Sequence, residues 1–600
     1  MTGNELRKTF LEFFKERKHV IVPSSSLAPD DPSVLLTTAG MQQFKQYYTG
    51  ADPLSVAHKT LGNPIGALRA ASVQKSFRTS DIEAVGDESH LTFFEMLGNF
   101  SFGDYFKQDA ISWAHEFITK KLGLLISYVT VFGGEKNIPA DEESKQIWES
   151  LDVSDIRLDN LENVFWGPTG KNGPCGPSTE IYCKNSAGHD VEVWNIVFNE
   201  YFCSGSRDDL LIENGADPIR GPLHGSRLKR LASNGVDTGM GLERLAMIVQ
   251  EKASIFETDL FAQYIEICPN NMDEKKCKII VDHLRGSVFL LADGVRSSNK
   301  EAGYILRRLL RRAFVYEYQT KLPEHAFGSI AHGIIHDYGE FYPELLKESE
   351  HIQTEILQER EKFLKTLKRG MEALERVSAI TGKIAFDLYQ SFGLPPEVIR
   401  EFKNFDWKEF EEAKSEHVKI SGAGAEKKFG GHGILLNKAE LKAKDEKELA
   451  IVTRLHTATH LLQAALRKIL GDSVHQMGSD ITAERTRFDF SFERKLTADE
   501  INSVENFVNS AISRGLGVKI DEMPYEEAIK LGALHFMKEK YPPIVKVYSI
   551  GDFKADPPEI FSREFCGGPH VKNTKEIGRF RIIKEEAVST GVRRVRARVE

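Results

Sequence analysis

The segment Arg454 to Leu466 reads RLHTATHLLQAAL and sets His456 and His460 four residues apart. On a helix turning about 100° per residue, two imidazoles at this spacing share one face and can reach one metal ion. Leu455, Leu462, Ala465, Leu466 and Ile469 gather on a different face, which turns the pair away from the core stripe toward a cleft or a neighbouring element. With 18 histidines in 600 residues such a pair also arises by chance. A second half-site comes from REFCGGPHVK, where Cys566 and His570 flank a Gly-Gly-Pro turn. One thiolate with three imidazoles is a borderline-soft donor set that favours zinc over magnesium or calcium. Thr457 stands where a zinc protease carries its glutamate, so HTATH is not that motif. Four protein ligands ordinarily close a zinc shell, so a structural zinc, a catalytic zinc with an opened position and no metal at all stay open as readings.

A second chemistry is spread over two arginines. Val73 to Phe106 reads as strand, acidic loop, strand, with Arg78 ending the first strand and facing Phe93 and Phe94 on the second. GVDTGMGLERLAMIV (Gly235 to Val249) runs from a strand through glycines into a helix with Arg244 on its second turn. A guanidinium fork stays charged and bonds two phosphate oxygens at once. No Walker loop and no GxGxxG occurs, so a nucleotide here is held by arginines on an antiparallel sheet. The competing reading makes both arginines surface ion pairs and the aromatics core.

These residues need several domains to position them. At 600 residues the chain exceeds one core, and its 41% hydrophobic and 28% charged content is that of a globular protein. A net charge of -9 excludes a basic surface over the whole chain, so nucleic acid must meet a local patch. MTGNELRKTFLEFFKERKH reads as an amphipathic helix and not a signal peptide, and no apolar run has the length of a membrane span; a cytoplasmic location is expected. The cysteines, Cys175, Cys183, Cys203, Cys268, Cys277 and Cys566, are too sparse for a disulfide framework and are expected reduced, one or two as ligands. Residues 1–255 mix glycine turns with strand-like runs such as VEVWNIVF, and residues 256–420 have helical texture, including Gly303 to Tyr318 and Glu348 to Arg376. A glycine-dense and charged stretch, 421–450, reads as a linker. The histidine helix opens the last region, 451–600, with strands expected at Arg487–Phe492 and Ile544–Phe553.

The motifs TTAGMQQFK (Thr37–Lys45), TFFEMLGNFSFGDYFK (Thr92–Lys107), GPCGPSTEI (Gly173–Ile181), VWNIVF and VDTGMGLER, followed by ADGVRSSNKEAGYILRRLLRRA, HTATHLL and CGGPH, stand in an order that resembles the class II alanyl-tRNA synthetases. The resemblance covers almost the whole chain. It implies an α+β multidomain fold: an antiparallel catalytic sheet with flanking helices over 1–255, a helical tRNA-recognition domain over 256–420 and a zinc-binding α+β editing domain over 451–600. The implied activity is ATP-dependent ligation of alanine to tRNA(Ala) through alanyl-adenylate, with hydrolysis of Ser-tRNA(Ala) and Gly-tRNA(Ala). Arg78 then bridges the α-phosphate and the substrate carboxylate, Phe94 stacks under adenine, and Arg244 covers the other face and reaches the γ-phosphate. Asp237 meets the alanine ammonium, Trp166 and Val197 wall its pocket with Asn195 beside them, and Glu180 is a ligand for the magnesium that accompanies ATP. His456, His460, Cys566 and His570 hold one zinc per chain, with Gln476 beside the mischarged ester. A pocket shaped for a methyl group rejects serine or glycine by only about 1–3 kcal/mol, which is why a second, hydrolytic site is expected.

The resemblance also assigns tRNA contacts to Asn299, Arg307 and Arg311. Gln390 stands where relatives carry an aspartate that reads a G·U pair in the acceptor stem. Only Thr79 and Ser80 separate Arg78 from Asp81, where many relatives have a longer loop with a lysine. The β-barrel usually found before the histidine helix is reduced to the linker, and the chain stops soon after the zinc ligands, without the usual coiled coil and globule; a monomer is expected. Two other functions fit parts of the pattern. One is an aminoacyl-tRNA deacylase whose synthetase part only binds tRNA; the other is an RNA-binding regulator built on Arg307, Arg308, Arg311 and Arg312.

Overall fold

A computed structural model describes the chain except for residues 30–33, 136–137, 169, 215–226, 270, 321, 324, 427–445, 535–543 and 590. The chain divides into two compact units, Met1–Phe410 and Glu411–Glu600.

The first unit opens with the expected amphipathic helix, Gly3–Glu16. Thr2 and Glu5 cap it reciprocally: the Thr2 hydroxyl accepts from the Glu5 amide at 3.2 Å, and Glu5 Oε2 from the Thr2 amide at 2.8 Å. Its buried Leu6, Phe10, Phe13 and Phe14 recur at helical spacing, and burial of each such side chain stabilises the fold by about 1.5–3 kcal/mol. Nine strands form one sheet: β1 (Val20–Ile21), β2 (Arg69–Phe77), β3 (Phe93–Phe102), β4 (Tyr128–Phe132), β5 (Ile156–Asp159), β6 (Phe165–Trp166), β7 (Gly173–Lys184), β8 (Asp190–Cys203) and β9 (Leu228–Gly241). Their order is β1-β2-β3-β9-β8-β7-β4-β5, with β6 on β7. Only β1–β2 and β4–β5 are parallel pairs. β9 pairs with β3 as far as Gly241 opposite Met96, so the following helix, Leu242–Val249, begins late. Arg244 therefore stands in its first turn, not the second.

Helices Glu274–Ala292, Glu301–Thr320, Ser349–Arg376 and Gly382–Phe392 bear out the helical texture of the middle region. The arginine stripe on Glu301–Thr320 departs from expectation. Arg307 and Arg311 share Glu359 at 3.2 and 3.0 Å, Arg308 pairs with Glu397, and buried Arg312 donates to the Ile82 carbonyl at 2.5 Å. Much of that charge is engaged in ion pairs within the fold. Cys268 and Cys277 are joined by a disulfide across a Cα–Cα distance of 6.2 Å, contrary to the expectation of reduced thiols; a short turn brings the end of Ala262–Ile265 onto the start of Glu274–Ala292.

Helical backbone over Trp407–Glu426 runs into the first residues of the expected linker; its stretch 427–445 lies outside the described residues. The second unit holds the histidine helix, Glu446–Leu470, the helix Ala498–Arg514 and two sheets. Strands β10 (Gln476–Thr482), β11 (Arg485–Ser491), β12 (Gly517–Pro524), β13 (Ile544–Asp552), β14 (Glu559–Phe565), β15 (Phe580–Ser589) and β16 (Val592–Val599) pair as β10-β11-β16-β15 and β12-β13-β14. Thr486, Phe488 and Phe490 alternate inward on β11, and Phe488 and Phe490 share a core with Leu462, Ala465, Leu466, Val504 and Val595. Ile469, expected in the helix's stripe, is 36% exposed in its last turn, while Leu461 is buried.

Candidate functional site

One cavity with about 180 Å³ open to water lies on the sheet of the first unit. Its wall includes Arg78, Phe94, Trp166 and Glu180, together with Asn195, Val197, Asp237 and Arg244. Those are all the residues to which sequence assigned ATP or alanine, brought from β3, β6, β7, β8, β9 and the two segments that follow β2 and β9.

The Arg78 guanidinium carbon sits 5.0 Å from the Phe94 ring centroid. Phe93 points to the other sheet face, as strand alternation requires, and stacks on Phe289 at 4.1 Å; the expectation that Arg78 faces both rings is corrected to Phe94 alone. Burial pulls the Arg78 pKa below its usual value, opposed by Asp81 and Glu192. Arg244 donates to Glu192 Oε2 at 3.1 Å and to the Glu192 carbonyl at 3.3 Å. Glu192 was not singled out in the sequence, although it is the one acidic residue in VEVWNIVF. Asp81 and His90 line the same wall.

Burial raises Asp237 to about 7 from 3.8, and among the described residues no cation is ion-paired with it. Burial and then Glu192 raise Glu180 to about 7. Glu180 accepts from the Tyr182 hydroxyl at 2.9 Å, Asn195 Nδ2 at 3.0 Å and the Thr130 hydroxyl at 3.3 Å. A buried carboxylate held beside a second one suits a divalent cation, which removes the repulsion.

A buried charge network holds the backbone beside Phe94 and Arg244. Glu95, next to Phe94, takes Arg7 at 2.7 Å and the Tyr342 hydroxyl at 2.8 Å; Glu243, next to Arg244, takes Arg285 at 2.5 Å. The Glu95 amide donates to Glu243 at 3.2 Å, which ties β3 to the helix Leu242–Val249. Removing one partner of such a network leaves a buried charge uncompensated, at about 3–5 kcal/mol.

In the second unit, the ligand atoms of His456, His460, Cys566 and His570 lie within 4.8 Å of one another and can hold a metal ion. Cys566 Sγ is 3.2 Å from His456 Nε2 and 3.4 Å from His570 Nε2. Each histidine also has an oxygen at its second nitrogen: the Pro569 carbonyl 3.1 Å from His456 Nδ1, the Thr457 hydroxyl 3.2 Å from His570 Nδ1 and Glu564 Oε2 3.4 Å from His460 Nδ1. Outer partners of this kind fix ring orientation and raise ligand basicity. A Cβ on Gly568 would stand 2.4 Å from His456 Cε1, so the Gly-Gly-Pro turn closes against the ring only with glycine there. Burial pushes the Cys566 thiol up to about 12 and the Glu564 carboxyl up to about 8. Glu564 and Tyr548, whose ring is 4.3 Å from that of His570, were missed in the sequence because neither has metal-ligand spacing. Gln476 stands on edge strand β10, its amide donating to Ser479 at 3.1 Å; it is not part of the four-residue cluster.

Of the residues assigned to tRNA, Asn299 is exposed and accepts from Arg307. Gln390 is exposed on the helix Gly382–Phe392, whose left-handed cap Gly393 (φ 72°) lies so close to Arg311 that a Cβ there would meet its guanidinium.

An antiparallel sheet that presents one arginine before an acidic turn and another at the start of a helix defines a class II aminoacyl-tRNA synthetase. In agreement, the family described as "tRNA synthetases class II (A)" matches residues 5–479, and "Threonyl and Alanyl tRNA synthetase second additional domain" matches residues 545–596. The alanine–tRNA ligase of Borrelia garinii subsp. bavariensis is 40% identical over 100% of this chain and 99% of its own length. That of Treponema pallidum is 39% identical over 100% and 98%, and that of Fervidobacterium nodosum 33% over 100% and 79%. The chain belongs to the alanine–tRNA ligase family.

Proposed function

We propose that the chain joins alanine to tRNA(Ala) through alanyl-adenylate in the cavity of its first unit, and hydrolyses Ser-tRNA(Ala) and Gly-tRNA(Ala) at the cluster of its second. The carrying observation is that every residue assigned to ATP or alanine lines one cavity. Arg78 bridges the α-phosphate and the alanine carboxylate, neutralising charge as the carboxylate oxygen attacks phosphorus and pyrophosphate leaves. Phe94 stacks under adenine, and Arg244 exchanges Glu192 for the γ-phosphate. Asp237 takes the ammonium, which supplies the positive charge its buried carboxyl lacks. Trp166, Val197 and Asn195 bound the methyl pocket. Glu180 would hold the magnesium that accompanies ATP, which would supply positive charge against the phosphates.

The donor set and its outer oxygens fit one zinc held by His456, His460, Cys566 and His570. A zinc held there would supply a Lewis acid to polarise or position the ester, and Gln476 borders its aminoacyl group. The Pro569 carbonyl and Thr457 orient His456 and His570, and Glu564 lies beside His460. Asn299, Arg307, Arg311 and Gln390 face the acceptor stem. We further propose domains at 1–255, 256–420 and 451–600 around the linker 421–450, a monomeric enzyme, and work in the cytoplasm, where tRNA and ATP are met; no helix among the described residues is long and apolar enough to cross a membrane.

Pyrophosphate exchange into ATP, measured with each amino acid in turn, tests the ligase. Exchange with alanine far above serine and glycine supports it; none with alanine refutes it and leaves a deacylase that only binds tRNA.

A further inference from the structure

The sheet face that carries the cavity does not end at Glu180. Tyr182 is the cross-strand partner of Glu192 on one side and of Tyr128 on the other, and on the next strand Arg157 stands opposite Thr130, itself the partner of Glu180. Directly opposed residues share a face, so these side chains continue the cavity's floor outward over β7, β4 and β5. They are stacked planes. The rings of Tyr128 and Tyr182 lie 4.3 Å apart at 12°, and the Arg157 guanidinium lies 3.5 Å from the centroid of Tyr128. The inner end is tied to the active site by the Tyr182 hydroxyl on Glu180 at 2.9 Å. The outer end is held flat by a two-point bond from Arg157 to Asp155, at 3.1 and 2.8 Å.

An ion pair with side chains 50% and 48% exposed contributes little to stability, and spending a planar, fully aligned pair on a sheet edge is not explained by packing. A flat guanidinium over stacked tyrosines, its charge shared with Asp155 and Asp190, is a surface for a π-face such as an unpaired nucleobase. At about 4.8 Å per strand, Arg157 lies roughly 10 Å across the sheet from Glu180.

We propose that the Tyr182–Tyr128–Arg157 ladder stacks an unpaired base of the tRNA acceptor end while the terminal ribose enters the cavity. This rests on the ligase reading above. The ladder sets how the strand enters without touching the reacting atoms, so its loss weakens tRNA binding and leaves adenylate formation alone.

The test uses the full chain and tRNA(Ala) with 2-aminopurine replacing an unpaired base of the 3′ end, read by fluorescence quenching on binding, alongside KM for tRNA in aminoacylation and alanine-dependent pyrophosphate exchange. Wild type and Tyr128→Phe should quench. Tyr128→Leu, which removes the ring, and Arg157→Lys, which keeps the charge but loses the plane, should lose quenching and raise KM for tRNA roughly tenfold, with exchange unchanged. If Arg157→Lys or Tyr128→Leu quenches and binds like wild type, the ladder is a sheet-edge decoration and the proposal fails. Reduced affinity with quenching retained overturns it too, since a phosphate contact then accounts for the loss. Failure of exchange in wild type strikes the ligase reading instead; should Tyr128→Leu lose exchange along with quenching it is set aside as misfolded, and Arg157→Lys, at a half-exposed side chain, decides the proposal.

Discussion

The two candidate sites hold their ligand-binding side chains in opposite states of preparation. In the first unit the cavity's charges are provisional: Arg244 rests on Glu192, Glu180 shares repulsion with Glu192, and Asp237 is raised to about 7 with no cation beside it. In the second unit the four donors already lie within 4.8 Å; His456 and His570 are hydrogen-bonded from behind by an oxygen, and Glu564 lies 3.4 Å from His460 Nδ1. A site that must release AMP and pyrophosphate each cycle gains from groups that lose little when the ligand leaves. A resident ion gains from donors that need not move.

The widest separation between the sites comes from deleting charge at the phosphates. Arg78→Ala and Arg244→Ala should each lower alanine-dependent exchange by about 10²- to 10³-fold, with the melting temperature little changed, because both side chains line the cavity rather than the core. Deacylation of Ser-tRNA(Ala) should persist in both. Exchange within tenfold of wild type in either variant would remove that arginine from the nucleotide site.

The reciprocal cut is Cys566→Ala. Metal analysis should give one zinc per wild-type chain and none in the variant, and deacylation should fall by at least about 100-fold while exchange with alanine is retained. A metal-free wild type that edits at full rate breaks the comparison, since the braced donors would then be a structural cluster.

Much of this contrast was legible before any coordinates. The cavity residues sit in contiguous motifs whose strand alternation assigns them a face, and the HTATH and CGGPH spacings point to one cluster. What was not legible depends on pairs distant in sequence. Arg307, Arg308 and Arg311 look like a basic stripe until Glu359 and Glu397, from separate helices, fold onto them. Phe93 and Phe94 read as equivalent until β3 sends one to each face. Glu564 carries no spacing signal, because its role comes from facing a histidine across a helix–strand contact. Cys268 and Cys277 are ordinary apolar positions in sequence, and only the turn between two helices makes them neighbours.

A smaller effect sharpens the idea of provisional charge. Because burial lifts Asp237 from 3.8 to about 7, the carboxylate is present above pH 7 and is lost as pH falls through that value, while the alanine ammonium stays charged. KM for alanine should therefore rise about tenfold per pH unit below about 7, with KM for ATP flatter. The sign for stability follows from the same shift: the folded state holds this proton more tightly than the unfolded chain, so its contribution favours folding at low pH and is lost as pH rises through about 7. Asp237→Asn should raise KM for alanine about tenfold at pH 8 and flatten the profile. A wild-type profile without this rise would show that Asp237 does not meet the ammonium.

The smallest expected effect concerns acceptor-stem choice, where neither site's chemistry is touched. Asn299 is exposed with its carbonyl engaged by Arg307, and Gln390 lies exposed on a helix that ends against Arg311, so both stand on surface that a stem can reach. A glutamine amide donates and accepts, whereas an aspartate only accepts. At Gln390 the guanine amino group of a G·U pair can be met, but a G·C pair is penalised less than a carboxylate would penalise it. Gln390→Asp should widen the preference for G·U over G·C minihelices by a few-fold, roughly 1 kcal/mol, within the range of a single polar contact. Asn299→Ala should narrow it, because the side chain that orients Arg307 is gone. Charging by both variants with the wild-type ratio of G·U to G·C would mean that neither residue reads the pair, and the stem would have to be chosen from elsewhere on the first unit.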